Sequence, residues 1–204
     1  MISIIDYEIG NTLSVKNAVE KLGYNCKITN KKDDISNSDS IILPGVGSFH
    51  KGISNLKKLN LIEILNEEVI VKKKKILGIC LGFQLMCKNS NEFGLNNGLE
   101  WLDLKVRKIN NKSLRLPHVG WNRINLIKNN SSFFHNINNN QMFYFNHTYA
   151  IKNYKLDDLS DLMTCDYGEK FIAAIKIDNI FGIQPHPEKS QRQGLQIIKN
   201  FIES

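Results

Sequence analysis

Cys80 stands at the centre of Gly78-Ile79-Cys80-Leu81-Gly82, a pattern in which two glycines flank a nucleophilic side chain. The apolar run Ile76-Leu77-Gly78-Ile79 before it predicts a strand, and Phe83-Gln84-Leu85-Met86 after it can begin a helix. A strand-to-helix turn this tight presses backbones together, which glycines permit. It leaves the central side chain at a helix N-terminus, where free amides and the helix dipole favour a thiolate. Such a nucleophile needs a base. Of the five histidines, His186 has the most fixed surroundings, between Pro185 and Pro187 and just after the probable strand Ile180 to Gln184. Glu188, two residues on, shares a face with His186 if the segment is extended, and would orient the imidazole. Nucleophile, base and orienting carboxylate form a set suited to covalent acyl chemistry. Taken alone, the pentapeptide equally fits a packed cysteine in a glycine turn, and His-Pro-Glu also fits an exposed loop pair.

The elements that must position these residues alternate in the first half of the chain. Ile2-Ser3-Ile4-Ile5 reads as a strand, and Leu13, Val15, Ala18, Val19 and Leu22 recur at helical spacing until Gly23. Strands follow at Tyr24 to Thr29 and Ser40 to Leu43, the latter stopping at Pro44-Gly45-Val46-Gly47. Ile53, Leu56, Leu59, Ile62 and Leu65 predict one helix over about residues 50–68, ahead of the strand Ile76 to Ile79. From about residue 99 the pieces are short and strand-like: Leu104 to Ile109, Trp121 to Ile127, Met142 to Tyr149, Phe171 to Ile177 and Ile180 to Gln184. Asp178-Asn179 joins the last two as a tight hairpin, and Leu195, Ile198 and Phe201 mark a terminal helix. Asn-rich stretches near 110, 129 and 138 predict surface loops. The expected fold is α/β: a single three-layer domain over residues 1–204, with a central mostly parallel sheet, flanking helices and extra antiparallel strands in the second half.

Bulk properties exclude several functions. The net charge of +7 invites a nucleic-acid reading, but only four of the 27 basic residues are Arg and the lysines are spread among asparagines. The one dense run, Lys72 to Lys75, predicts a solvated helix end before a strand. No apolar run approaches a membrane span, and the opening Met-Ile-Ser-Ile-Ile-Asp lacks the pattern of a signal peptide. The scattered Cys26, Cys80, Cys87 and Cys165 suit a reducing cytoplasm. With no H-E-x-x-H spacing, Walker loop or dinucleotide fingerprint, neither a metal nor a cofactor is expected.

Gly78-Ile79-Cys80-Leu81-Gly82-Phe83-Gln84, followed later by Gln184-Pro185-His186-Pro187-Glu188-Lys189-Ser190, resembles the class I, triad-type glutamine amidotransferases. More narrowly, the chain is similar to the glutaminase subunits of imidazole glycerol phosphate synthase. That likeness rests on Ile4-Ile5-Asp6-Tyr7 with Gly10-Asn11, on Pro44-Gly45-Val46-Gly47-Ser48-Phe49 and on Pro117-His118-Val119-Gly120-Trp121-Asn122. Tyr144-Phe145 with His147-Thr148-Tyr149, and Pro187-Glu188-Lys189-Ser190, complete it in family order.

The resemblance implies that Cys80 attacks the carboxamide of L-glutamine, with His186 and Glu188 completing the triad. It implies an oxyanion site from the Leu81 amide and the Gly45-Val46-Gly47 segment, and substrate contacts from Gln84, Glu92, His147, Thr148 and Tyr149. It also implies a heterodimer with a synthase (cyclase) subunit that receives the ammonia, facing Asn11, His118, Trp121, Asn122, Tyr144 and Lys189. Three residues depart from the family pattern: Glu8 for glycine, Phe83 for methionine and Pro185 for phenylalanine. Paralogues of such subunits feed a sugar amidotransferase in bacterial surface-glycan synthesis, which is an alternative use. An inactive scaffold and a cysteine peptidase or γ-glutamyl hydrolase of similar fold are further alternatives; the intact Cys80, His186 and Glu188 weigh against the first and the Gln84 and His147-Thr148-Tyr149 blocks against the second.

Overall fold

β-branched runs in the first half pair into the centre of the molecule. The computed structural model describes residues 1–110, 114–152 and 161–204. The chain begins β1 (Ile2–Ile5), α1 (Thr12–Lys21), β2 (Cys26–Thr29), α2 (Lys32–Ser36), β3 (Ser40–Leu43), α3 (Phe49–Lys58), α4 (Leu61–Asn66), β4 (Lys75–Ile79) and α5 (Leu81–Leu85). It continues β5 (Cys87–Ser90), β6 (Asn96–Asn97), β7 (Leu102–Lys108), β8 (His118–Asn129), β9 (Met142–His147), β10 (Tyr149–Ile151), β11 (Asp161–Asp166), β12 (Lys170–Ile177), β13 (Ile180–Ile183) and α6 (Gln191–Glu203).

Among the described residues nine strands form one sheet in the order β2-β1-β3-β4-β13-β12-β11-β8-β9. It is parallel from β2 to β13 and antiparallel from β13 to β9, so the sheet is mixed, with Cys80 at the end of a parallel strand. A second sheet orders β10-β7-β5-β6. Alternating side chains divide the core in two. Ile2, Ile4, Ile42, Leu77 and Ile79 pack with Val15, Val19, Ile198 and Phe201 from α1 and α6, whereas Ile5, Ile41, Leu43 and Ile76 pack with Phe49, Leu56, Leu65 and Leu85 from α3 to α5. These are the two outer layers of the three-layer α/β arrangement. Among the described residues no helix is long and apolar enough to cross a membrane.

The structure corrects several expectations. The helix predicted over 50–68 breaks at Leu59-Asn60, where Asn60 takes a left-handed φ of 52°, and α4 runs into a π-helical turn, Glu67–Val71. Asparagine tolerates that conformation and periodicity does not reveal it. The stretch Met142 to Tyr149 divides at Thr148, so β9 closes the large sheet and β10 joins the small one. α2, β5, β6 and β11 were not anticipated; β5 and β6 are too polar and too short to show a strand period. Lys72 to Lys75 is not uniformly solvated: the Lys74 ammonium is nearly buried, 2.7 Å from the buried Glu68 carboxylate, and donates to Ile35 O and Ser36 O. The Asn-rich stretch near 110 runs into residues 111–113, outside the described residues.

Candidate active site

Cys80 follows β4 directly and opens α5 with φ 53° and ψ −109°, a region costly for a residue bearing a Cβ. The turn is clamped on both sides: Cys80 N–H donates to Ile183 O at 2.7 Å, and Gly82 lies so close to β3 that a Cβ there would meet Leu43 O at 1.8 Å. α5 has only five residues, so the helix-dipole support expected for a thiolate is small. Phe83, the departure in this segment, is fully buried and lies across Gly182 of β13, where a β-carbon would collide with its ring.

The parallel register of β4 and β13 sets Ile79 opposite Ile183. The segment after β13 therefore runs alongside Cys80. His186 Nδ1 lies 2.9 Å from Glu188 Oε1, by a different route from the extended backbone expected. Pro187–Lys189 is a 3-10 turn that folds the carboxylate back onto the ring. Asn11 Nδ2 donates to the same oxygen at 3.3 Å, while Glu188 Oε2 is buried without a hydrogen-bond partner. His186 N–H donates to Tyr144 O at 2.8 Å, and the Ser190 hydroxyl donates to His186 O at 2.6 Å while accepting from Tyr144 N–H at 3.0 Å. Pro185 is buried within this braced segment. Burial disfavours a charged His186, but the charge and hydrogen bond of Cys80, and then those of Glu188, override it and hold the imidazole up at about 10.

Cys80 opens into a cavity of about 220 Å³. Val46, Gly47, Leu81, Gln84, Glu92, His147, Thr148 and Tyr149 line it, with Pro117 and Asn146 in addition. Leu81 opens α5, so its N–H has no acceptor within the helix. Gly47 takes φ 107°, and Gly45 lies behind the cavity wall against Leu81 and Gly82. Tyr7 is buried and donates to Pro44 O at 2.6 Å, fixing the start of this segment. Burial, and then the proximity of Cys80, raise the Tyr7 phenol well above its ordinary value, so it stays neutral.

His147, expected to contact substrate, and His118, expected to face a partner, are less free than those roles imply. His147 Nδ1 meets Tyr149 O at 2.9 Å and its Nε2 meets His118 Nδ1 at 3.2 Å, so its ring is fully engaged. Tyr149 O can only accept, which makes His147 Nδ1 the donor, His147 Nε2 the acceptor and His118 Nδ1 the donor. Burial lowers His118 to about 4; burial, with His118 next, lowers His147 to about 3. Glu92 Oε2 accepts from Phe49 N–H at the start of α3 at 2.7 Å. Glu8 accommodates its substitution with φ 65° and a pair to Lys58 at 2.9 Å.

The residues read as a partner face divide. Trp121 is 40% exposed, edge-on to Tyr144, whose ring Lys189 Nζ approaches at 5.8 Å, and Val119 and Met142 are exposed nearby on β8 and β9. His118 is instead buried between Phe145 and Tyr167, Asn11 turns inward to Glu188, and Asn122 donates to Asp166 O at 2.9 Å. Among the described residues no group of His, Cys, Asp or Glu is placed to hold a metal ion.

Residues 3–204 match the family "Glutamine amidotransferase class-I". The chain is 45% identical to "Imidazole glycerol phosphate synthase subunit HisH 2" of Methanococcus maripaludis, over 99% of this chain and 98% of that one. It is 40% identical to the protein of the same name from Pseudomonas aeruginosa, over 100% and 99%. Its fold is similar to the "Structure of PurLQS from Thermotoga maritima", with TM-score 0.74 and 19% identity, covering 99% of this chain and 97% of that one. A thiol, an imidazole and a carboxylate meeting at a turn between strand and helix are thus carried on a full-length family match, and the chain belongs to the class I glutamine amidotransferases.

Proposed function

We propose that this chain is the glutaminase subunit of an imidazole glycerol phosphate synthase, hydrolysing L-glutamine and passing the ammonia to a cyclase subunit in histidine biosynthesis. The observation that carries it is the Cys80–His186–Glu188 constellation at a cavity lined by residues suited to an amino acid. The full-length likeness to proteins of that name supports it. In this reading Cys80 Sγ adds to the carboxamide carbon, and charge moves onto the carbonyl oxygen, where the Leu81 N–H and the Gly45-Val46-Gly47 segment receive it. His186 gives its proton to the amide nitrogen, the C–N bond breaks and ammonia leaves a γ-glutamyl thioester. Water deprotonated by His186 then adds to the thioester, and the C–S bond breaks to return thiolate and glutamate. The Glu92 Oε1 atom suits the α-ammonium group. Gln84, Thr148 and Tyr149 supply hydrogen bonds, with His147 contributing main chain because its ring is engaged.

The patch of exposed Val119, Trp121 and Met142, with Lys189 and the half-buried Tyr144 beside it, supports a heterodimeric interface, formed by one glutamine amidotransferase domain over residues 1–204 working in the cytoplasm. Asn146, the register partner of Val119 on that patch, places its carbonyl 3.9 Å from Cys80 Sγ, so the patch backs onto the nucleophile. Mixing the chain with the cyclase subunit, its nucleotide substrate and glutamine tests the reading. Glutamine-dependent turnover is expected, well above ammonia release by the isolated chain. Absence of turnover with this cyclase overturns it, and turnover only with a sugar amidotransferase supports the alternative acceptor.

A further inference from the structure

One buried group beside the nucleophile has no part in the mechanism above. Gln184 follows β13 directly, is fully buried, and is anchored by its main-chain N–H to Ala173 O at 2.7 Å. Its side-chain orientation is dictated from a distance. Tyr149 O can only accept, so the Gln84 group 2.8 Å from it is the amide nitrogen. That same nitrogen lies 2.9 Å from the Gln184 carboxamide, which must present its oxygen there. The other end of the Gln184 carboxamide, Nε2, then faces Cys80 Sγ at 3.6 Å. Reversing either amide would set two NH₂ groups or two oxygens against each other in a buried space.

We propose that Gln184 is a further catalytic residue of this site: its carboxamide N–H donates to Cys80 Sγ, supporting the sulfur anion before it attacks and when it leaves the thioester. Gln84 is its positioning residue. The need is physical, because the one-turn α5 gives little dipole support. The Asn146 carbonyl, 3.9 Å from the sulfur, accepts from a thiol but repels an anion. A hydrogen bond to a charged group carries about twice the weight of a neutral one, and here it lies in a buried setting.

This deepens the glutaminase reading and rests on it, so the test separates the two. Alkylation of Cys80 by iodoacetamide, mapped by mass spectrometry across pH, is compared in wild type, Gln184→Met and Gln184→Glu. At neutral pH the Met variant is expected to react about tenfold more slowly, with its profile moved to the alkaline side. The Glu variant, which keeps an acceptor for Gln84 but sets a carboxylate beside the sulfur, is slower still. In the complex with the synthase, kcat falls with the alkylation rate while KM for glutamine stays near wild type, because Gln184 does not line the cavity. Equal rates and profiles in folded variants overturn the proposal; if Gln184→Met fails to fold, Gln184→Glu carries the comparison alone. A wild-type chain that is alkylated normally yet releases no ammonia from glutamine with its synthase overturns the glutaminase reading instead.

Discussion

Cys80 Sγ is approached by an imidazole, a carboxamide and a main-chain carbonyl, and its reactivity depends on which of them dominates. The imidazole does: Cys80 and Glu188 together outweigh burial and hold His186 protonated to about 10, whereas buried His118 and His147 stay neutral until about 4 and 3. Titration of ring-labelled histidines by NMR is expected to show a cationic His186 at neutral pH. Cys80→Ala should move its titration to lower pH, since Cys80 is the largest raising influence; an unchanged titration would rule out the pairing. The folded value lies above the free value of 6.5, so this pairing adds stability that is complete below about 6.5 and fades as pH climbs toward 10. Cys80, His186 and Glu188 were legible in the sequence because proline and glycine mark their backbone. Gln184 and Tyr7 were not, because their roles depend on hydrogen bonds to Gln84 and Pro44, distant in sequence.

Among elements, those with a clear period were legible and those held by polar contacts were not. β1, β3, β4, α1 and α6 announce themselves by apolar spacing, whereas the break between α3 and α4 rests on Asn60 in a left-handed conformation. The π-helical turn after α4 is likewise tied down by charge: Glu68, 1% exposed, accepts from Lys72 at 2.8 Å and Lys74 at 2.7 Å, and Lys74 reaches on to the carbonyls that end α2. Only Lys72 can still neutralise Glu68 if Lys74 is lost. Lys74→Met should therefore destabilise the fold by about 2–3 kcal/mol, somewhat less than breaking a fully isolated buried pair. Urea unfolding followed by far-UV circular dichroism is the check, with a midpoint about 1 M lower expected. A midpoint within error of wild type would mean that the pair sits in effectively solvent-like surroundings. Sequence reading missed this pair because a lysine run looks alike whether its ammonium groups reach water or a buried carboxylate.

At the scale of the molecule, the parallel half of the sheet carries Cys80 and the antiparallel half ends in β8 and β9, whose outer surface exposes Trp121, Val119 and Met142 beside the half-buried Tyr144. In the proposed heterodimer this exposed apolar surface is the face that the synthase subunit would cover. Because β9 also gives Asn146 O to the sulfur and Tyr144 O to His186 N–H, a partner seated there would press on the strand that braces both Cys80 and His186. Trp121→Ala is expected to weaken binding of the synthase subunit by about 2 kcal/mol, roughly a thirtyfold rise in Kd by calorimetry. Glutamine-dependent turnover should fall with it, and iodoacetamide labelling of Cys80 in the isolated chain should not change. Ile127, equally exposed but further along β8, supplies the control, and Ile127→Ala should bind as wild type does. If both substitutions weaken binding alike, the interface spreads along the whole of β8. If neither does, the partner docks elsewhere and the brace through β9 cannot be how it reaches Cys80.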